Sequence, residues 1–384
     1  CSIAAFMGSA NNQPPDNASE ISDDFTLAVD TSAENAENAE NAENTKNTPC
    51  TCFPNMPCTP ARQKHRDKIQ TRDFVNACVA RPVRPAEVKT NLKARKAMQL
   101  EWDRLRAVPR DGGKTGVWDE TLVQEWRHVR HAARMRDEKA NVGLVFGIVV
   151  EKNHELPEAD PARKYKGRAV FQGNNVRDED GNWAIFQELS SSLATMEAAR
   201  CADAYGMPPG HNVEQCDAEQ AYTQSLLQGV ATWVFLPRDR WPASWIARGF
   251  KNPVVPLRLA LYGHPDAGGY WEKHCEAHLE TTGFVPISEW RSCFWHPGLR
   301  LFLVVYVDDF KLSGPEANLA KGWALIQAGI STDAPHKPDI FLGCKHEESV
   351  ETSPWSGKQV RVLTYNMQSF LEDAVSKYQA LAGG

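Results

Sequence analysis

The sequence lacks any apolar run close to the ~20 residues that a transmembrane helix requires, and its first residues lack a signal-peptide pattern. Its ten cysteines also lack the spacing of a disulfide framework. These absences predict a soluble, intracellular protein that does not bind a membrane. The chain begins with Cys1 rather than Met, which indicates a fragment or a processed piece of a longer protein.

Residues 1–60 contain few large apolar side chains and carry the repeat AENAENAENAEN. Such a composition buries too little apolar surface to offset chain entropy. We therefore expect a disordered, low-complexity tail and linker over residues 1–85 and one ordered domain over residues 86–384. Three cysteines within the tail match no zinc-binding spacing, so we expect no structural zinc there. They are Cys50, Cys52 and Cys58.

The net charge of −6 is unevenly distributed along the chain. Residues 62–139 carry 20 basic and 11 acidic side chains, whereas the segments on both sides are acidic. This basic segment has two interpretations: a contact for nucleic acid or another polyanion, or a solvated pair of basic helices. The sequence leaves both open.

The apolar spacing after residue 86 predicts helices and strands in alternation. The predicted helices cover 88–105, 122–133, 193–205, 254–263, 269–283, 316–328 and 366–381. The predicted strands cover 143–150, 165–173, 212–216, 232–237, 339–346 and 359–364, with three further short strands joined by tight turns over 292–314. Antiparallel hairpins mixed with helices indicate an α+β domain.

One predicted strand ends in two adjacent carboxylates. The stretch LRLFLVVYVDDFKLSG, residues 299–314, runs from an apolar strand directly into Asp308 and Asp309. Two unpaired carboxylates in one pocket would repel each other, and a divalent cation such as Mg²⁺ or Mn²⁺ would remove that cost. A polar turn without a metal is the alternative, since Asp is common in turns.

A third carboxylate is a candidate partner for this pair. Asp217 ends the predicted strand 212–216, and Tyr222 follows in a short helix. Metal-assisted phosphoryl transfer uses two ions that share carboxylates from different elements. Tyr222 could cover a sugar bound beside such ions, or it could be an ordinary core tyrosine.

Several segments, taken in order, resemble the reverse transcriptase of copia-type retrotransposons. YVDD and the upstream CDAEQAYTQ are similar to the family's catalytic segments, and YKGRAVFQG is similar to its strand K-A-R-L-V-A-x-G. LRLALYG, DIFLGCKH and MQSFLEDAVSKY resemble further family segments in the family's order. The resemblance covers roughly residues 94–382. It implies a right-hand polymerase with fingers, a palm built on an antiparallel sheet, and part of a thumb.

The resemblance implies roles for the carboxylates. Asp217 and Asp308 would bridge two Mg²⁺ or Mn²⁺ ions, Asp309 would support them, and Ala218 would add a backbone carbonyl. The reaction would be RNA-directed DNA synthesis, in which deoxynucleotides are added to a primer 3′-hydroxyl by two-metal phosphoryl transfer.

The resemblance also implies a nucleotide site and partners. Lys166 and Arg168 would hold the triphosphate, and Tyr222 would act as the gate against a ribose 2′-hydroxyl. The partners would be an RNA or DNA template with a primer, deoxynucleoside triphosphates and other products of the retrotransposon polyprotein. The protein would work in a cytoplasmic retroelement particle and in the nucleus.

The sequence departs from the family after LYG. Asp266 stands where the family has a glutamine near the nucleotide, and a carboxylate there would repel a triphosphate. This departure keeps open an alternative function, a catalytically inactive remnant of a reverse transcriptase that only binds nucleic acid. An unrelated metal-dependent nuclease or phosphatase is a third hypothesis.

Overall fold

The computed structural model describes residues 80–109, 115–154, 156–186, 194–341 and 344–382. The predicted tail up to residue 79, with its three cysteines, therefore lies outside the described residues. The helices are α1 (Pro85–Thr90), α2 (Leu92–Ala107), α3 (Trp126–Arg136), α4 (Met196–Gly206), α5 (Ala243–Ala247), α6 (Ala267–Thr281), α7 (Glu316–Gln327) and α8 (Gln368–Ala382).

Strands make up three sheets in this described part. They are β1 (Ala80–Pro82), β2 (Gln124–Glu125), β3 (Ala140–Lys152), β4 (Lys164–Phe171), β5 (His211–Asp217), β6 (Ala231–Phe235), β7 (Pro253–Pro256), β8 (Val285–Pro286), β9 (Cys293–His296), β10 (Leu301–Tyr306), β11 (Asp309–Pro315), β12 (Ile340–Phe341), β13 (Cys344–Thr352) and β14 (Gln359–Asn366). Of the strand pairs described here, β3 with β6 is parallel and the rest are antiparallel. The protein has a mixed helix and sheet architecture.

The first sheet has the order β1-β3-β6-β7-β2, and β4 also pairs with β3. Helix α2 lies directly on β4, because Gly167 leaves no side chain in the way: a Cβ at Gly167 would lie 2.8 Å from the Cα of Met98. Trp102 and Leu105 of α2 then fill the core beneath this sheet. Asn91 separates α1 from α2 and accepts hydrogen bonds from the first amides of α2, which explains the break in the helix predicted over 88–105.

The central sheet has the order β5-β11-β10-β9-β8. Helices α6 and α7 cover one face, where Phe310 and Leu312 are buried with Trp271. Helix α4 covers the other face, where Phe302 and Val304 are buried. Because both faces of β10 are buried, its sequence is a continuous apolar run instead of an alternating one.

The C-terminal sheet has the order β12-β13-β14, and α8 follows it. No helix in the described ranges is long and apolar enough to cross a membrane. The hairpin of β10 and β11 was predicted at its observed place, as were the helices near 196–206, 267–281 and 316–327. The domain boundary at residue 86 stays a prediction, although β1 pairs with β3 a few residues earlier.

The helix predicted over 254–263 is wrong. Residues Pro253–Pro256 form β7, which pairs with β6. The next residues are irregular, and Leu257 and Leu259 make isolated bridges to Trp118 and Leu226. The run PVVPLRLALYG is buried on several sides, so its apolar residues have no periodicity that separates a helix from a strand.

Candidate active site

The two adjacent aspartates lie at the tight turn between β10 and β11. Tyr306 pairs with Asp309, so Val307 and Asp308 are the two central residues of the turn. Val307 has a φ of 58°, a left-handed conformation that is costly for a β-branched residue. The indole Nε1 of Trp271, on α6, donates a hydrogen bond of 2.7 Å to the Val307 carbonyl. The helix beneath the sheet therefore holds this strained turn in place.

The register of β5 against β11 brings the third carboxylate to the same turn. Asp217, the last residue of β5, lies directly opposite Asp309. The next amide, that of Ala218, donates a hydrogen bond of 2.7 Å to the carbonyl of Asp308. The structure thus places Asp217, Ala218, Asp308 and Asp309 in contact, although the sequence separates them by about ninety positions.

Electrostatic repulsion is concentrated at this pair of strands. Burial and the negative charge of Asp308, together with a hydrogen bond to Asp217, raise the pKa of Asp309 well above its usual range. The protonated form of Asp309 is therefore favoured when no cation is present. A hard divalent cation bound by these oxygens would remove the repulsion, so the donor set fits Mg²⁺ or Mn²⁺.

The described residues contain no group of three or more His, Cys, Asp or Glu side chains arranged to hold a metal ion. The observed arrangement is a carboxylate pair, Asp217 with Asp309, and a third carboxylate on the adjacent turn residue, Asp308. The assignment of metal ligands to Asp217, Ala218, Asp308 and Asp309 stays a prediction.

A fourth acidic residue supports Asp217 from the outer edge of β5. The Asp217 amide donates a hydrogen bond of 2.8 Å to Asp333 Oδ1, and the Asp333 amide donates one of 3.0 Å to the Asp217 carbonyl. Residues 331–336 continue this pairing along β5 through isolated bridges. No pattern in the sequence points to Asp333, because the contact joins residues that are 116 positions apart.

Two predicted cations lie on β4 beside the turn. Burial and the positive charges of Arg168 and Lys152 lower the pKa of Lys166 to about 8, while the charges of Glu101 and Asp308 act in the opposite direction. Lys166 is therefore close enough to Asp308 for their charges to interact. A bound polyanion would favour the protonated form of this lysine.

Arg168 and two tyrosines form one connected group. The Arg168 guanidinium lies over the ring of Tyr262 at 5.0 Å from its centroid, and Tyr262 contacts Tyr222 edge to face at 4.7 Å. Burial and the charge of Asp308 raise the pKa of Tyr222. Tyr222 lies in the short 3₁₀ turn Ala221–Gln224. The structure thus brings all the predicted site residues to one region, and it adds Tyr262.

Glu101 is a buried carboxylate that the sequence did not single out. It lies on α2, is only 5% exposed, and its Oε1 has no hydrogen-bond partner within the protein. Burial raises its pKa, whereas the charge of Arg168, a hydrogen bond from the Ala169 amide and the charge of Lys166 lower it. Its position under the two cations of β4 makes it a candidate counter-charge for them. Only the packing of α2 on β4 brings Glu101 close to these cations.

Asp266 is buried at the N-terminal end of α6. It is 6% exposed, and its amide donates a hydrogen bond of 3.2 Å to Nδ1 of His264. A carboxylate at this end of a helix is favoured by the helix dipole. Burial lowers the pKa of His264 to about 4, although the Asp266 charge acts against it. Asp266 therefore has a local structural role at the start of α6.

Comparison with known proteins shows a distant similarity to retroelement polyproteins. The chain is 27% identical over 158 residues, 41% of its length, to the retrovirus-related Pol polyprotein from transposon RE1 of Arabidopsis thaliana. It is 26% identical over 160 residues, again 41% of its length, to the corresponding polyprotein from transposon RE2 of the same plant. The matched segments make up 10% of each relative, so the chain spans about a tenth of their length.

No family model matches the chain. Among solved structures, it is similar to telomerase from Candida albicans in complex with the TWJ fragment of telomeric RNA, with a TM-score of 0.28 and 12% sequence identity. That match covers 57% of this chain and 47% of the telomerase chain. A structural likeness at this level carries no argument about the fold or the function.

Proposed function

We propose that this protein is an RNA-directed DNA polymerase, the reverse transcriptase of a copia-type retrotransposon. The single observation that carries the proposal is the register that places Asp217 opposite Asp309 and beside Asp308. The cations Lys166 and Arg168 on β4 of the first sheet and the similarity to Pol polyproteins support it.

The proposed right-hand architecture assigns the three sheets to subdomains. The first sheet with β4 and α2 would form the fingers, because β4 carries the cations for the triphosphate. The central sheet would be the palm, since its turn carries the carboxylates. The C-terminal sheet and α8 would begin the thumb. The partners would then be a template with a primer, deoxynucleoside triphosphates and other products of the polyprotein, in the cytoplasm and the nucleus.

In the proposed reaction, two divalent ions held by Asp217, Asp308 and Asp309, with the Ala218 carbonyl, would supply activation of the primer 3′-hydroxyl and neutralisation of the leaving pyrophosphate. Lys166 and Arg168 would bind the triphosphate oxygens and orient them. Tyr222, buttressed by Tyr262, would limit the space at the sugar. The chain would contribute mainly positioning and electrostatic stabilisation.

Primer extension tests this function. Purified protein is given a primed template, deoxynucleotides and Mg²⁺ or Mn²⁺. Asp308→Asn keeps the side-chain size but removes the charge, and we expect it to lower extension by about 100-fold or more, the scale of one preorganised electrostatic contact. Asp239→Asn is the matched control, because Asp239 is an exposed residue that forms an ion pair with its neighbour Arg240. Extension that is equal in Asp308→Asn and the wild type would contradict the proposal.

The second candidate is a remnant that binds nucleic acid without turnover. The observation in its favour is that the described residues contain no preformed group of three metal ligands. Binding of a primed template with a steep salt dependence, but without any extension under both metals, would establish it. Nucleic-acid hydrolysis without nucleotide addition would instead identify a metal-dependent nuclease.

A further inference from the structure

Helix α3 is a strongly basic element that the proposed active site does not use. Its eleven residues contain no acidic side chain. Trp126, Val129 and Ala133 are buried and attach one face of the helix to the first sheet. The remaining face is largely exposed and carries basic residues. These are Arg127, His128, His131, Arg134 and Arg136.

Three of these basic residues lie in one line. Arg127, His131 and Arg134 are spaced i, i+4 and i+7, which places them on the same side of a helix. Arg134 Nε donates a hydrogen bond of 2.9 Å to Asp180 Oδ1, with the two side chains 44% and 52% exposed. Such an exposed ion pair contributes little stability, so a phosphate can replace the carboxylate at small cost.

The Arg134–Asp180 contact joins α3 to a short hairpin over residues 176–184. Arg177 and Trp183 pair across this hairpin. The hairpin is fixed to the start of β3 by two backbone hydrogen bonds between Val142 and Arg177, of 2.7 and 3.0 Å. It is therefore a well-anchored element beside the basic line of α3.

The hairpin presents an exposed tryptophan stacked on an arginine. The Arg177 guanidinium lies 3.5 Å from the centroid of the Trp183 ring. Trp183 remains 58% exposed, whereas Phe186 nearby packs against the core. Exposing a large aromatic side chain to water costs free energy. An arginine stacked on an exposed aromatic ring is a common feature of surfaces on which nucleobases stack.

We infer that the basic line of α3 and the Arg177–Trp183 stack form a binding surface for single-stranded nucleic acid. Arg127 and Arg134 contact phosphates, and the exposed indole of Trp183 stacks on an unpaired base. The line from Arg127 to Arg134 is about 10 Å long, roughly three nucleotides of a stacked strand. Base stacking requires a base that is free of its partner, which favours a single strand over a duplex. This inference does not depend on polymerase activity.

Fluorescence anisotropy tests the stacking contact. The probe is a labelled 12-nucleotide oligouridylate in EDTA, so that metal-dependent binding at the carboxylates does not contribute. We expect Trp183→Ala to weaken binding by roughly 5- to 150-fold, the fold-change of one lost base–aromatic stack. Trp183→Phe should retain most of the affinity. Trp355→Ala is the matched control, because Trp355 is 96% exposed but lies in the turn between β13 and β14, and it should bind as the wild type does.

The phosphate contacts are tested by the salt dependence of the same probe. In the double variant Arg127→Gln and Arg134→Gln, the slope of log affinity against log salt should become shallower by about 1.4. Each lost phosphate contact with a single strand accounts for about 0.7 of this slope. The double variant Lys321→Gln and Lys358→Gln removes two exposed cations elsewhere and should leave the slope unchanged.

Several results would overturn this inference. Wild-type affinity of Trp183→Ala for the oligouridylate would overturn it. So would a result in which Trp183→Ala weakens the binding of a blunt RNA duplex as much as the binding of the single strand. If polyglutamate displaces the probe equally well from the wild type and from Trp183→Ala, the surface binds acidic protein and the inference is wrong. If Trp183→Ala does not fold, as judged by circular dichroism, a 4-thiouridine probe is crosslinked to the wild type. Adducts in residues 176–186 support the surface, and adducts confined to other segments refute it.

Discussion

Strand β11 carries two ionisable residues whose surroundings differ. Asp309, at its start, lies among negative charges, opposite Asp217 and next to Asp308. Lys311, two residues later, is fully buried, and its Nζ donates a hydrogen bond of 2.8 Å to Asp203 on α4. His346 Nε2 and the Tyr365 hydroxyl, both from the C-terminal sheet, complete the cluster around Lys311 and Asp203.

The two clusters differ in whether their charges are paired. This difference indicates which cluster has a structural role and which is a candidate functional site. Around Lys311 every charge has a partner, so the cluster joins α4, the central sheet and the C-terminal sheet. Around Asp309 the carboxylates repel each other, and the adjacent Val307 is strained. Groups that reduce stability persist where a ligand or a reaction needs them. The comparison therefore makes the carboxylate turn the candidate functional end of β11.

The largest expected effect on stability is at Lys311. Lys311→Met leaves the buried Asp203 without its cationic partner, and we expect the free energy of unfolding to fall by about 3–5 kcal/mol. Urea denaturation measures this. Lys321→Met, at an exposed position of α7, is the control and should change stability little. Equal stability of Lys311→Met and the wild type would show that the two clusters do not differ as described.

The pH dependence of stability should differ in sign between the two clusters. Burial alone would raise the pKa of Asp203, but His346 and Lys311 outweigh burial and lower it. Asp203 therefore contributes stability above its ordinary pKa of 3.8, and this is lost as the pH falls below that value. The pKa of Asp309 is raised, so its contribution becomes unfavourable as the pH rises above 3.8 through the raised value.

Urea denaturation in EDTA between pH 3 and pH 8 tests these signs. At neutral pH, Asp203→Asn should be less stable than the wild type, and Asp309→Asn should be more stable by about 1 kcal/mol or more, as one unit of pKa is worth about 1.4 kcal/mol. The Asp203→Asn difference should shrink as the pH falls below 3.8, whereas the Asp309→Asn difference should shrink as the pH falls from the raised pKa of Asp309 towards 3.8. Two variants that change stability in the same direction would contradict the comparison.

The smallest expected effect is at the strained turn. Glycine adopts a φ of 58° without strain, so Val307→Gly removes backbone strain of about 1–3 kcal/mol. Glycine also gives the unfolded chain more conformational freedom, which costs about 1 kcal/mol on folding. We expect stability to be unchanged or slightly higher by urea denaturation. Val305→Gly, at a buried position of β10 with ordinary backbone, should instead be strongly destabilised. Equal losses in both variants would refute strain at Val307.

The local parts of this site could be predicted from the sequence, and the tertiary parts could not. The apolar run before Asp308 predicts the hairpin, because a buried strand must end where two carboxylates begin. Glu101 and Asp333 gave no signal, since they reach the site only through the packing of α2 on β4 and the pairing of residues 331–336 with β5. The same limit explains the wrong helix at 254–263, where pairing with β6 decided the conformation.

Direct binding of Mn²⁺ tests the central claim, that the repelling carboxylates at the start of β11 are a site for divalent cations. Electron paramagnetic resonance of free Mn²⁺ gives the affinity without any substrate. We expect the wild type and Asp203→Gln, if folded, to bind Mn²⁺ alike, and Asp217→Asn and Asp309→Asn to bind it at least about 10-fold more weakly. Unchanged Mn²⁺ affinity in Asp217→Asn and Asp309→Asn would contradict the account.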